Sequence, residues 1–208
     1  PFYARYLLRT GLEHPGRKDV LNSMPTDWEK IHAGLDKDCR SNQEVFLKDM
    51  AHHIEDQFMQ YLEDWKPIFL IRDPVKMIRS FAKVIDSPTL DDLGVVRQSA
   101  LFNRIYNASG KYPIVVDADT FLTNPEGMLK RMCKYLEIEL SHSMLSWLPG
   151  PIPEDGVWAK YWYKNVHSST GFVKPNMTCE PELDPRFSQL LESAMAPYNR
   201  LLHHQILE

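Results

Sequence analysis

The chain has 208 residues, long enough for one well-cored domain, and we expect a single domain over residues 1–208. It contains 43% hydrophobic and 25% charged residues and has a net charge of −4, a composition typical of a globular protein and not of a basic nucleic-acid binder. The longest apolar runs are only about five residues, which excludes a membrane-spanning helix in this sequence.

Helical patterns dominate the N-terminal part of the chain. Apolar residues at helical spacing predict a helix over residues 2–9, and a second helix is expected over residues 18–23. The capping-box pattern that begins at Thr26 predicts a third helix over residues 27–35. The charged and polar residues at 36–43 then predict a loop.

A strand-to-helix junction is predicted next. Residues 45–47 have the pattern of a strand, and apolar residues recurring every four positions predict an amphipathic helix over residues 51–65. Lys48, His52 and His53 would cluster at this junction. Adjacent helical residues point about 100° apart, so at most one histidine would face a site. Two neighbouring histidines are poor partners for one metal ion, and surface or capping roles for both remain open.

The sequence WKPIFLIRDPVKMIRS at residues 65–80 predicts a strand, a sharp turn and a helix. Residues 68–71 form the short β-branched apolar run of a strand buried in a parallel sheet. Asp73 is a good N-cap and Pro74 fits the first helical position, where a missing N–H costs nothing. The helix should extend to about Ala82.

This arrangement makes Arg72 a candidate anion-binding residue. Arg72 would lie at the carboxyl end of a strand, beside a helix N-terminus whose free N–H groups and dipole favour anions. Lys76 and Ser80 are four residues apart and share a helix face. Together these side chains can offer a guanidinium, a hydroxyl and an ammonium to a phosphate-like group. The structural alternative is that Arg72 pairs with Asp73 or caps a carbonyl.

Two helices and a strand follow. A long helix is predicted from Thr89 to Gly110, and residues 112–117 form a buried strand. Lys111 is not part of a Walker loop, because the required glycine spacing is absent. Asn124 followed by proline then caps another helix.

A change of composition marks residues 148–181 as a lid or flap. Prolines bracket a stretch rich in aromatic and basic residues, and a long segment without periodicity is typical of a functional loop. Packing of the aromatic residues against the sheet edge is the structural alternative. Asp184 and proline cap the last helix, which Pro197 should kink.

Three stretches resemble sulfotransferases. FLIRDPVKMIRS, with Arg72 and Ser80 eight residues apart, is similar to the motif that holds the 3′-phosphate of the donor 3′-phosphoadenylyl sulfate (PAPS). VVDADTFLTNPEGMLKRMCKYLEI follows it in the family's order. WAKYWYKNVHSSTGF resembles the terminal motif of a subgroup related to plant and microbial aminotransferase-like proteins.

The resemblance implies an α/β fold, a three-layer sandwich with a central parallel sheet of the P-loop nucleotide-binding type. It also implies an enzyme that moves a sulfuryl group from PAPS to a hydroxyl or amine of a small-molecule acceptor, releasing adenosine 3′,5′-bisphosphate (PAP). No metal and no nucleic-acid partner is implied. Three well-separated cysteines without a CxxC pair favour a reducing compartment, so we expect a cytoplasmic location.

The resemblance also implies catalytic roles. Lys48 matches the lysine that ends the corresponding strand in many family members and would stabilise the leaving group. Met50 stands where some members have the catalytic histidine, so His52 and His53 are the substitute candidates for the base.

The donor contacts implied by the resemblance come from two stretches. Arg72 and Ser80 would bind the 3′-phosphate. Lys160, Lys164 and Phe172 would contribute basic contacts to the donor and an aromatic wall for its adenine.

One family element is missing at the start of the sequence. Sulfotransferases begin with a strand, a phosphate-cradling loop and a helix that grip the 5′-phosphosulfate, and no such pattern is visible, so we expect a longer natural protein. The alternative function is a non-catalytic module that binds the nucleotide or a partner. A small-molecule phosphotransferase ranks last because a Walker lysine is absent.

Overall fold

The computed structural model describes residues 1–41, 44–58, 65–83, 85–174 and 182–207. These residues fall into two compact units. One consists of Pro1–Ile54 and Leu148–Thr170, and the other of Glu55–Trp147 and Gly171–Glu208. Within the described ranges, no helix combines the length and the apolar character needed to cross a membrane.

Three helices begin the first unit: α1 (Tyr3–Thr10), α2 (Arg17–Ser23) and α3 (Trp28–Ser41). The predictions for α1 and α2 are confirmed, and Ala4, Leu7 and Val20 form the buried contact between them. Gly11 ends α1 at φ 69°, a left-handed conformation that favours glycine.

Helix α3 is longer than predicted. Its cap is Asp27, whose Oδ1 accepts a hydrogen bond from the Lys30 amide at 3.1 Å, and not Thr26. The loop predicted from residue 36 is wrong up to Ser41, while residues 42 and 43 lie outside the described part of the chain. Asp36 lies within ion-pairing distance of His32 and Arg40, each four residues away, and such pairs stabilise a solvated helix face.

Residues 44–58 differ most from the predictions. No strand forms at residues 45–47, and Phe46 is 83% exposed. The predicted helix from residue 51 is also wrong over its described part, which contains only two 3₁₀ turns, Ala51–His53 and Asp56–Phe58. Residues 59–64 lie outside the description. A strand needs a pairing partner for its backbone groups, and the described residues provide none for residues 45–47.

The part of the predicted lid that belongs to the first unit contains two short helices, α9 (Ala159–Trp162) and α10 (Lys164–His167). His167 connects the end of this segment to its beginning through two contacts. The His167 carbonyl accepts a hydrogen bond from the Gly150 amide at 2.8 Å, and His167 Nε2 lies 2.8 Å from Asp155 Oδ2. Lid closure stays a prediction, and residues 175–181 lie outside the described ranges.

The second unit contains a parallel pair of strands, β1 (Ile68–Ile71) and β2 (Ile114–Asp117). The pairing runs in register from Ile68 opposite Ile114 to Ile71 opposite Asp117. The carboxyl ends of both strands therefore meet at one edge of the sheet. On the opposite side of β2, the Val115 carbonyl accepts a hydrogen bond from the Ile206 amide at 2.9 Å.

Helices surround this pair. They are α4 (Pro74–Phe81), α5 (Leu90–Leu93), α6 (Val95–Ser109), α7 (Ala118–Thr123), α8 (Pro125–Leu136) and α11 (Ser188–Leu202). The predicted caps are confirmed: Asp73 caps α4, Asn124 caps α8, and Asp184 caps the 3₁₀ turn before α11. Thr89, predicted as the start of a helix, caps α5 with a capping box. Helix α11 packs against α4, α6 and both strands.

Two expectations in this unit are corrected. Gly94, at φ 68°, divides the predicted long helix into α5 and α6, which turns Val95 inward and leaves Val96 exposed. Strand β1 is not buried on both faces, because Leu70 is 60% exposed. The unit is a mixed helix-and-sheet fold, and the three-layer sandwich with a P-loop-type sheet remains a prediction.

Candidate functional site

Arg72 directly follows β1, and Ser80 lies in the last turn of α4. Both side chains are exposed. Within the described part of the chain, neither side chain makes a hydrogen bond or ion pair, so the alternative in which Arg72 pairs with Asp73 is not observed. An exposed guanidinium without a carboxylate partner can bind an anion without first breaking an ion pair.

The N-terminus of α4 is already capped. Oδ1 of Asp73 accepts hydrogen bonds from the Val75 amide at 2.7 Å and the Lys76 amide at 3.3 Å, and Pro74 has no N–H. The expectation that free amides at this terminus bind an anion is therefore corrected. An anion at this edge of the sheet would be held by side chains.

Lys76 has a carboxylate partner. Its Nζ lies 2.9 Å from Oδ1 of Asp119, which follows β2. Because this ion pair neutralises the ammonium, Arg72 is the stronger candidate for the anion. The neighbouring Asp117 is buried and accepts hydrogen bonds from the amide and hydroxyl of Thr120.

Phe172 belongs to an aromatic cluster in the second unit. Its ring meets those of Phe121 at 4.9 Å and Trp147 at 5.2 Å, both edge to face. A bridge between Ser146 and Gly171 holds the backbone at this point. Phe172 is half-buried in this cluster, so packing accounts for its position. Contact with adenine remains a prediction.

In the first unit, His53 forms a close pair with Asp49. Nδ1 of His53 lies 2.6 Å from Oδ1 of Asp49, and His53 is 6% exposed. Burial raises the pKa of the Asp49 carboxyl, whereas the hydrogen bonds from His53 and from the Phe2 amide lower it.

Aromatic rings enclose this histidine. His53 stacks on Tyr3 with 5.2 Å between ring centroids and lies 4.5 Å from the ring of Tyr6. The His52 ring contacts Tyr6 at 5.0 Å. Burial raises the pKa of the Tyr3 phenol, which forms a hydrogen bond with Nδ1 of His14 at 3.0 Å. The two histidines predicted as alternatives thus have different surroundings: His53 lies against the Asp49 carboxylate, and the His52 ring contacts Tyr6.

Lys48 is exposed and lies over an aromatic ring. Its Nζ is 5.3 Å from the Tyr163 ring centroid and 3.5 Å from the phenol oxygen. The Trp158 indole also donates to that oxygen at 3.5 Å. Tyr163 therefore positions Lys48 without neutralising its charge.

The two lysines predicted in the lid differ in their surroundings. Lys160 pairs with Asp19 at 2.7 Å, and this partner raises the lysine's pKa while the lysine lowers that of Asp19. Lys164 is exposed and has no ion-pair partner among the described residues. Lys164 is therefore the better candidate for a phosphate contact. In the described ranges, no group of three or more His, Cys, Asp or Glu side chains is arranged to hold a metal ion.

Asp49 was not among the site residues predicted from the sequence. The available signal was its spacing: in KDMAHH, Asp49 and His53 are four residues apart. On a regular helix that spacing would have brought the two side chains together. In the structure the pair forms across the extended Met50 and the 3₁₀ turn Ala51–His53.

A family model and two curated relatives each match nearly the whole chain. A family model described as a sulfotransferase domain matches residues 1–204. The chain is 36% identical to branched-chain-amino-acid aminotransferase-like protein 1 of Arabidopsis thaliana and 33% identical to its protein 2, each over 210 residues and 98% of this chain. It spans only 36% of the length of each relative. No solved structure matches the chain significantly.

Proposed function

This chain belongs to the sulfotransferase domain family, and we propose that it transfers a sulfuryl group from PAPS to a hydroxyl or amine of a small-molecule acceptor. In this reaction the acceptor oxygen or nitrogen forms a bond to sulfur. The bond from sulfur to the bridging oxygen breaks, and its electron pair leaves with PAP. The protein must hold the donor, stabilise the charge on the leaving oxygen and remove the acceptor proton.

The surroundings of the Arg72 side chain give the proposal its main support. Its guanidinium is exposed, lacks a carboxylate partner among the described residues, and follows the carboxyl end of a parallel strand. Ligands of open α/β sheets bind at this end of the strands. We assign Arg72 and Ser80 to the 3′-phosphate, since a guanidinium and a hydroxyl suit phosphate oxygens.

For the remaining roles we keep the assignments that the family resemblance implies. Lys48 would neutralise the leaving oxygen, and a histidine, His53 or His52, would accept the proton. Lys164 would add a donor contact, whereas Lys160 would first have to leave Asp19. The cytoplasmic location belongs to the same proposal and is supported by Cys39 and Cys133, which form no disulfide within the part of the chain that the structure describes.

A thermal-shift experiment with PAP tests the donor assignment. At about a hundred times its Kd, a ligand stabilises the folded state by about 2.7 kcal/mol. We expect PAP to raise the unfolding temperature of the unaltered chain. The rise should be absent in Arg72→Ala and smaller in Ser80→Ala. Arg131→Ala is the matched control, because Arg131 is an exposed arginine of the same unit, on α8.

Two outcomes would contradict the proposal. Equal shifts in the unaltered chain and Arg72→Ala would remove Arg72 from the donor site. No shift in any variant would favour a domain that does not bind the donor. In turnover assays, Arg72→Ala should raise the donor KM, and Lys48→Ala should lower kcat.

A further inference from the structure

Asp49 and His53 form an enclosed carboxylate–imidazole pair in the first unit. Their side chains are 11% and 6% exposed, and the Oδ1–Nδ1 distance is 2.6 Å. By comparison, the Asp155 and His167 side chains are 16% and 23% exposed at 2.8 Å, and those of Asp36 and His32 are more exposed still at 3.8 Å.

Backbone groups hold the Asp49 carboxylate in place. Oδ1 accepts a hydrogen bond from the Met50 amide at 2.9 Å, and Oδ2 accepts one from the Phe2 amide at 3.1 Å. Every one of these partners donates, which favours the ionised carboxylate and leaves it able only to accept.

An ionised partner fixes which imidazole nitrogen carries the proton. Neutral histidine has one N–H and one acceptor nitrogen. Since Asp49 can only accept, Nδ1 of His53 must carry the N–H, and Nε2 keeps its lone pair. The rings of Tyr3, Tyr6 and His52 surround the imidazole and restrict its rotation.

We propose that Asp49 is a positioning residue that fixes the tautomer of His53, and that Nε2 of His53 is the proton acceptor in the transfer. This inference rests on the proposed function. As the acceptor atom attacks sulfur, its proton moves to Nε2, and the imidazolium formed is stabilised by the Asp49 carboxylate. After the product leaves, Nε2 returns the proton to solvent.

Imidazole ¹⁵N NMR tests the pairing without any need for activity. Chemical shifts of the two ring nitrogens distinguish the tautomers, and His53→Gln identifies the His53 signals by their loss. We expect the Nδ1–H tautomer for His53 in the unaltered chain and its loss in Asp49→Asn. Asp36→Asn is the control, because it makes the same change beside another histidine of this unit.

Turnover measurements test the catalytic consequence. General-base catalysis typically contributes about 10²–10⁴-fold, so Asp49→Asn should lower kcat by about 10²-fold and leave the donor KM nearly unchanged. His53→Gln should lower kcat at least as much, whereas Asp36→Asn should not change it. Asp49→Glu, which keeps the carboxylate, should recover part of the loss.

The outcomes separate this inference from the proposed function. The Nε2–H tautomer in the unaltered chain would overturn the inference, even if Asp49→Asn did not fold. Unchanged kcat in a folded Asp49→Asn or His53→Gln would also overturn it. A chain that neither binds PAP nor turns over PAPS would overturn the proposed function and the catalytic part of the inference, while the NMR result would still decide the pairing.

Discussion

The phenol of Tyr198 donates a hydrogen bond to Oδ2 of Asp117 at 3.2 Å and so joins α11 to the end of β2. Both residues are buried, at 7% and 4% exposure. Burial and the neighbouring Asp117 charge raise the pKa of the Tyr198 phenol well above its usual value of 10.0. The bond secures the edge of the sheet from which Arg72 and Asp119 extend.

Removing this phenol should destabilise the fold. In Tyr198→Phe the buried carboxylate loses a donor, and an unsatisfied buried acceptor costs about 1–3 kcal/mol. We expect a loss of this size in the free energy of unfolding measured with urea. Tyr135→Phe, which alters a more exposed tyrosine on α8, should change it little.

The same bond predicts an effect at high pH. Because the folded-state pKa of Tyr198 is raised, its contribution to stability is complete below the unfolded value of 10.0 and is lost as pH rises above it. Tyr198→Phe should therefore lose less stability than the unaltered chain between pH 9 and 11. Identical losses would show that the Tyr198 phenol does not titrate as the structure indicates.

The Asp73 cap predicts a graded mutational effect. Asp73→Ala leaves the Val75 and Lys76 amides without their side-chain acceptor, and loss of an N-cap typically costs about 1 kcal/mol. Asp73→Asn keeps an acceptor oxygen and should retain most of the stability. Chemical denaturation of both variants measures the difference, and equal stability of the two would contradict the importance of the cap.

Two glycines test how α9 contacts the start of α2. Gly16 has φ 76°, and an added Cβ would clash with the ring of Tyr161. Gly11 has a similar φ of 69° but open space around it. A non-glycine residue in this conformation costs about 1–2 kcal/mol.

Gly16→Ala should therefore be more destabilising than Gly11→Ala, since Tyr161 must also move. Thermal unfolding of the two variants gives the comparison. Combining Gly16→Ala with Tyr161→Ala should remove the excess, and an excess that persists would rule out the contact as its cause.

Asp155 predicts acid sensitivity of the segment that it stabilises. The hydrogen bond from the Ile152 amide is the main cause that lowers the pKa of Asp155, and the hydrogen bond from His167 adds to it. With a depressed folded-state pKa, the contribution to stability is complete above the usual 3.8 and is lost as pH falls below it.

Asp155→Asn should therefore reduce the loss of stability between about pH 5 and pH 2, the range in which such a carboxylate titrates. Denaturation midpoints across this range measure the effect. Glu154→Gln alters the exposed neighbouring carboxyl and should leave the acid dependence as in the unaltered chain. If both variants behave alike, the Asp155 carboxylate does not control acid stability.

The sequence by itself determined the elements whose signals are local. Asp73, Asn124 and Asp184 were predicted as caps and act as caps, because a cap and its amides lie within three residues of each other. The apolar run Ile68–Ile71 and its break at Arg72 were also predicted from the residues. The family followed from the same stretch, since its motif combines a strand, a turn, a helix and two polar positions.

Only the tertiary structure decided the features that depend on residues far apart in the chain. Residues 45–47 have strand-like side chains but no pairing partner among the described residues, so their apolar pattern did not produce a strand. The exposure of Leu70, the pairing of Lys160 with Asp19 and the enclosure of His53 by Tyr3 likewise require knowledge of what packs against each residue. A cap and its amides are neighbours in the sequence, whereas burial and charge pairing depend on residues far apart in the chain. These distant neighbours determine which candidate side chains are available for chemistry.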